Sequence, residues 1–134
     1  MLNSKSLGFT LIELLVVMVI ISFALGLVLP LTVDQVDKTK ARAERELITR
    51  IFKQAKNDSY FINKPVHITV AGRKLTFEQG KRSKQWEFSF ASFSEQKVTV
   101  TQYGFSASHL DAAVSGKNWR LDLNEKNFSW SDTD

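Results

Sequence analysis

Two kinds of apolar pattern divide the chain. From Leu14 to Leu31 it reads LLVVMVIISFALGLVLPL, broken only by Ser22, Gly26 and Pro30. Eighteen or more apolar residues suffice to cross a bilayer, where about 20 are needed. From Val33 to Ile62 the apolar positions instead step by three or four: Val33, Val36, Ala43, Leu47, Ile51, Ala55 and Ile62, widened by Ile48 and Phe52. Lys40 and Asp58 interrupt that stripe. The spacing predicts an amphipathic helix with one face to be covered. No Gly or Pro falls between Thr32 and Asn63, and Lys64-Pro65 is expected to end it. The two segments predict one rod kinked at Pro30, about 80 Å long from Phe9 to Ile62 at 1.5 Å per residue.

After Pro65 the period becomes two. Val66 to Val70 and Lys74 to Glu78 alternate around Ala71-Gly72-Arg73, which predicts a hairpin. Gly80 to Lys84 reads as a loop, Trp86, Phe88 and Phe90 as one face of a third strand, and Val98 and Val100 as a fourth. Tyr103 to Gly116 has no clear period and reads as a loop. Trp119 to Leu123 and Phe128 to Trp130 predict a last hairpin around Asn124 to Asn127. The expected fold class is α+β: a long, kinked N-terminal helix, transmembrane in its first half and amphipathic in its second, packed on a small antiparallel sheet. The boundaries are 1–8 for a leader, 9–33 for the membrane segment, 34–62 for the amphipathic continuation and 63–134 for the β domain.

Composition narrows the chemistry. The 134 residues carry a net charge of +4, but Lys and Arg are interleaved with acids, as from Asp37 to Glu46. That is a solvated helix face, and no nucleic-acid partner is expected. With no cysteine there is no disulfide, no thiolate nucleophile and no Cys-based zinc site. His67 alternates with apolar neighbours and is expected on the exposed strand face; His109 falls in the irregular stretch. Neither has a ligand-spaced neighbour. Asp122, Glu125, Asp132 and Asp134 match no calcium loop. Trp86, Trp119, Trp130 and most of the ten Phe are expected in the core. No nucleophile elbow or phosphate-cradling glycine loop is present. The expectation is no enzyme, no cofactor and no metal.

Glu13 stands apart, because a carboxylate beside a membrane segment is costly and asks for a partner. It closes the run Lys5-Ser6-Leu7-Gly8-Phe9-Thr10-Leu11-Ile12-Glu13. This run resembles the leader and cleavage site of the type IV pilin and type II secretion pseudopilin superfamily. The resemblance implies cleavage between Gly8 and Phe9 by prepilin peptidase, and methylation of Phe9. It makes Phe9 and Glu13 the assembly pair, with Glu13 neutralising a neighbouring subunit's terminal amine, and it makes Pro30 the kink. It implies as partners other pilin or pseudopilin subunits, the inner-membrane assembly platform and the lipid bilayer. It also implies a single-pass protein of the bacterial inner membrane, its C-terminal domain periplasmic and extractable into a filament. A count of basic residues on either side of the membrane segment argues for the opposite orientation. The turn Asn63-Lys64-Pro65-Val66 is similar to H-type minor pseudopilins. The resulting expectation is a minor type II secretion pseudopilin that aids protein export. A minor type IV pilin or competence pseudopilin is the alternative, and a membrane-tethered periplasmic binding module is the second.

Overall fold

The computed structural model describes residues 8–124 and 126–134, with the backbone alone for 29–32. Lys5 to Leu7 of the leader motif and Glu125 lie outside the described residues. The chain forms two compact units, Met1–Lys38 and Thr39–Asp134. One helix, α1 (Leu11–Ile62), is assigned through both, without a break at Pro30.

In the first unit every large apolar side chain from Leu11 to Val28 is exposed. The helix is long and apolar enough there to cross a membrane, and none of that stretch is buried within the chain. Placing so much apolar surface in an apolar medium is worth on the order of tens of kcal/mol. The single hydroxyl in this stretch is accounted for: Ser22 Oγ donates to the Met18 carbonyl at 2.8 Å.

The second unit packs the rest of α1 on an eight-stranded antiparallel sheet. Its strands are β1 (Val66–Gly72), β2 (Lys74–Gln79), β3 (Arg82–Glu87), β4 (Ala91–Thr101), β5 (Gly104–Phe105), β6 (His109–Val114), β7 (Lys117–Asp122) and β8 (Ser129–Asp132). The order is β3-β2-β1-β4-β6-β7-β8, with β5 beside β4. Alternate residues point at the helix: Val66, Ile68 and Val70, then Leu75 and Phe77, Val98 and Val100, Leu110, Ala112 and Val114, and Leu121. From α1 they meet Ala41, Ile48, Ile51, Phe52 and Ala55.

Several expectations shift. The buried stripe of α1 runs through Ala41, Ile48, Ile51, Phe52, Ala55 and Ser59, so Lys40, Ala43 and Ile62 lie off it. The expected stripe shares Ile51 and Ala55 with the buried one, but at Lys40 and Asp58 it was drawn one position before the buried Ala41 and Ser59. Asn63, at φ 56°, takes the left-handed conformation just past the helix end, one residue before Lys64-Pro65. The expected loop over Gly80 to Lys84 is only the turn Gly80-Lys81, and β3 begins at Arg82. It shows no alternation because it is an edge strand, wet on both faces apart from Trp86. Phe88 and Phe90 leave that strand, since the β2–β3 ladder ends at Glu87.

The largest correction concerns Tyr103 to Gly116, expected as a loop. It holds β5 and the six-residue β6. Ser115 (φ 51°) and Gly116 (φ 77°) form a two-residue turn with both φ positive, which suits a tight hairpin into β7. His109 therefore opens a strand. His67 is half-buried, not exposed, with Nδ1 3.2 Å from Thr99 Oγ1. The three Trp residues are half-buried at the margin of the core, and Phe23 and Phe61 join Phe9 in exposure.

Candidate assembly and processing segment

Thr10 precedes the first helical residue, and Glu13 sits in the first turn. The Glu13 N–H donates to Thr10 Oγ1 at 3.3 Å, and the Thr10 N–H donates back to Glu13 Oε2 at 3.3 Å. Thr10 Oγ1 also donates to Glu13 Oε2 at 3.4 Å. The Leu14 N–H donates to the Thr10 carbonyl at 3.2 Å. This is a capping box: two N–H groups that the helix leaves unpaired are satisfied reciprocally. Glu13 was expected to lack a partner within its own helix, and Thr10 is one. A carboxylate in the first turn also meets the positive end of the helix dipole. The Thr-x-x-Glu spacing was legible in the sequence and carried this signal.

Gly8 and Phe9 stand just ahead of the cap. Phe9 is 83% exposed, and a Cβ placed on Gly8 would meet nothing within 4 Å. Among the described residues, packing therefore does not require glycine at position 8. The backbone there is open to an external protein.

The remaining polar groups hold the β domain together. Glu44 on α1 accepts three backbone N–H groups, from Ser89 at 2.7 Å, Phe90 at 2.9 Å and Ala91 at 2.8 Å. That clamp fixes the turn that carries Phe88 into the core. Gln96 does the work of a missing strand where β4 and β6 diverge. Its Oε1 accepts from the Asp111 N–H at 3.2 Å, and its Nε2 donates to the Asp111 carbonyl at 2.9 Å. Buried Gln79 donates from Nε2 to the Lys64 carbonyl at 3.1 Å, which pins the chain leaving α1. The Arg45 guanidinium lies 3.8 Å from the Trp119 ring centroid, and Trp130 Nε1 donates to Thr49 Oγ1 at 2.9 Å. Burial lowers the Arg45 pKa from its ordinary value; Arg42 adds to the effect and Glu46 opposes it. Apart from Trp119 and Trp130, expected in the core, none of these groups stands out in the sequence, because each partner is distant along the chain.

One surface cluster has the elements of acid–base chemistry. Ser108 Oγ lies 3.0 Å from His109 Nδ1, and His109 Nε2 lies 3.7 Å from Asp111 Oδ2. Asp111, however, is engaged by Arg120, whose Nε donates to Oδ1 at 2.8 Å and Nη2 to Oδ2 at 3.4 Å. The hydrogen bond from Arg120 holds the Asp111 carboxyl below its ordinary range; slight burial opposes this, and the Arg120 and His109 charges add to it. The same pairing raises the Arg120 pKa. The cluster is an exposed ion-pair group on the sheet face away from α1. Asp122 and Asp132 face different partners, Ser129 and Trp119, in the β7–β8 ladder. Among the described residues no three His, Asp or Glu side chains form a metal-binding group.

Residues 3–29 match the family described as the prokaryotic N-terminal methylation motif, the signature of type IV pilins and pseudopilins. The match covers Gly8, Phe9, Thr10 and Glu13 together with most of the exposed apolar helix. No curated protein and no solved structure matches the chain.

Proposed function

We propose that this chain is a minor pseudopilin of a type II secretion system, trimmed by prepilin peptidase and added to a periplasmic filament that aids protein export. The methylation motif marks a type IV pilin-like protein and implies that peptidase and other pilin subunits as partners. It is followed by one long helix and a β-sheet domain, and the apolar helix is consistent with an inner-membrane anchor. The observation that carries the reading is the motif running directly into a helix whose apolar side chains, from Leu11 to Val28, find no cover in their own chain. A bilayer covers them before assembly, and helices of neighbouring subunits cover them within a filament.

On this reading Gly8-Phe9 is the processing site. Gly8 leaves its peptide bond unobstructed, and cutting there creates an amine on Phe9, directly before Thr10 of the capping box. Glu13 then has two roles. Within its subunit it caps α1, and between subunits its carboxylate neutralises the amine of a neighbour, a favourable pairing where water is scarce. Pro30 lacks the N–H that would close its turn, so it provides a bend between the membrane segment and the continuation of α1. The sharp exit Asn63-Lys64-Pro65-Val66 favours an H-type minor pseudopilin. A minor type IV pilin or competence pseudopilin uses the same motif and layout, and differs in the machine it serves.

The mature N-terminus tests the reading. Mass spectrometry of protein purified from membranes of cells with prepilin peptidase is expected to show loss of residues 1–8 and a methyl group on Phe9. An intact Met1 terminus in those cells would overturn it. Co-purification with components of a secretion system, or of a pilus, then separates the two machines.

A further inference from the structure

The sheet of the Thr39–Asp134 unit is open at both ends. Among the described residues β3 pairs only with β2, and β8 only with β7. Each edge strand therefore offers a row of backbone groups to another strand.

The two edges carry opposite charge. Arg82, Lys84 and Trp86 pair with Gln79, Phe77 and Leu75 of β2, whose side chains are buried toward α1. They therefore stand on the helix side of one edge, and Lys81 adjoins them. On the other edge Trp130 pairs with buried Leu121, and Asp132 with Trp119, so both share the helix side. Asp134 follows and binds Asn118. The basic groups are available. The Arg82 side chain is 64% exposed despite a 3.9 Å approach to Asp58, and Lys84 Nζ lies 4.9 Å over the Trp86 ring.

Charged side chains on an edge usually guard it against pairing. On the helix side the charges of each edge strand have one sign, Glu87 of β3 lying on the opposite face. Two β3 edges would set Arg82 and Lys84 against the same cations, and two β8 edges would bring their aspartates together. A β3 edge against a β8 edge sets cation against anion. Six antiparallel steps separate β3 from β8 in the sheet order, so the two edge strands run parallel to each other. In the register that brings opposite charges together, Trp130 faces Arg82, Asp132 faces Lys84, and Ser131 faces Ser83. Every facing pair is then compatible, including a cation over an aromatic ring. Such a contact is heterologous, joining two different patches, so it propagates instead of closing a twofold dimer.

We propose that β8 of one copy docks edge to edge on β3 of a second copy, as a lateral contact between β domains. This rests on the filament reading and deepens it by naming a subunit contact outside the apolar helix.

The absence of cysteine gives a direct test. Full-length chains carrying Ser83→Cys and Ser131→Cys are co-expressed in cells with the peptidase and assembly machinery, then oxidised with copper phenanthroline. The mixed pair is expected to give at least tenfold more disulfide-linked dimer than either variant alone. Lys84→Glu on the first chain should reduce it at least fivefold, and Asp132→Lys on the second should restore it. Mixed yields equal to the single-variant yields, or indifference to both charge changes, would overturn the contact. The N-terminal mass of the same samples separates the two failures. Chains trimmed to Phe9 but not linked sink only the lateral contact, whereas an uncleaved terminus sinks the filament reading.

Discussion

Glu44 illustrates how one side chain can fix a stretch of backbone. Its two carboxylate oxygens receive the N–H groups of Ser89, Phe90 and Ala91, all within 2.9 Å. Charge-assisted bonds of this length are stronger than neutral ones, and their loss leaves donors unpaired. Glu44→Ala is expected to cost about 2 kcal/mol. For a domain of this size that lowers the melting temperature by about 10 °C, measured by near-UV circular dichroism of the solubilised protein. Glu44→Gln keeps one acceptor oxygen and should fall between. Asp111 gives a pH prediction. Its folded pKa is depressed, chiefly by the Arg120 hydrogen bond. The linked stability is fully present above the unfolded carboxylate pKa and is lost as pH falls through the lowered folded value. The pair is exposed, so the effect on stability is small. Carboxyl NMR should show Asp111 titrating below the other surface aspartates, and Arg120→Gln should move it upward. Unchanged titration in that variant would remove Arg120 as the cause. Neither residue could be singled out from sequence, since a glutamate on a helix and an aspartate on a strand are ordinary surface residues until their partners are known.

Elements that alternate apolar and polar residues were legible; those held by turns and edges were not. The β1–β2 hairpin and the β7–β8 pair follow from period-two patterning. β3 was expected too late, from Trp86 to Phe90, because its true start at Arg82 is an edge with charged side chains on both faces and no alternation to read. β6 alternates in Leu110, Ala112 and Val114, but Ala is a weak apolar marker and the surrounding Ser and Gly residues obscured it. The clearest missed signal was Ser115-Gly116, where both residues adopt positive φ. A side chain there strains the backbone, and Asn tolerates the conformation better than Ser. Ser115→Asn is therefore expected to stabilise the fold by about 0.5 kcal/mol, and Gly116→Val to destabilise it by about 1–2 kcal/mol. Chemical denaturation would measure both, and a stabilising Gly116→Val would contradict the turn. At the start of α1, Thr10→Ala should remove about 1 kcal/mol of capping. Hydrogen exchange at Leu11 to Leu14 should quicken, with the β domain unaffected.

The whole molecule separates an assembly segment from a folded domain. The first unit exposes its large apolar side chains from Leu11 to Val28, whereas the second buries most of its own, with Tyr60, Phe61, Ile62 and Tyr103 as exceptions. Glu13 belongs to the first and makes its hydrogen bonds with Thr10. Glu13→Leu is therefore expected to leave the thermal melt of the β domain and membrane insertion unchanged, while incorporation into filaments falls at least tenfold. Fractionation of sheared filaments against membranes checks this. Normal incorporation would remove the carboxylate from assembly. Glu13→Gln separates charge from capping, because its amide oxygen still accepts the Thr10 N–H.

The sequence alone determined the order of the parts: a Gly8-to-Glu13 motif, an apolar helix of membrane length, an amphipathic continuation and an antiparallel domain. Those features are local, written in consecutive residues and short periods, so no partner had to be known to read them. It also held the capping box in the Thr10-to-Glu13 spacing, read at first only as an unpaired acid. Tertiary structure decided the face of α1 that is buried, the turn clamped by Glu44, the bridge made by Gln96 and the opposite charges of the two sheet edges. Each depends on residues brought together from distant parts of the chain, and such contacts are selected by the burial of the whole core, not by any segment taken singly.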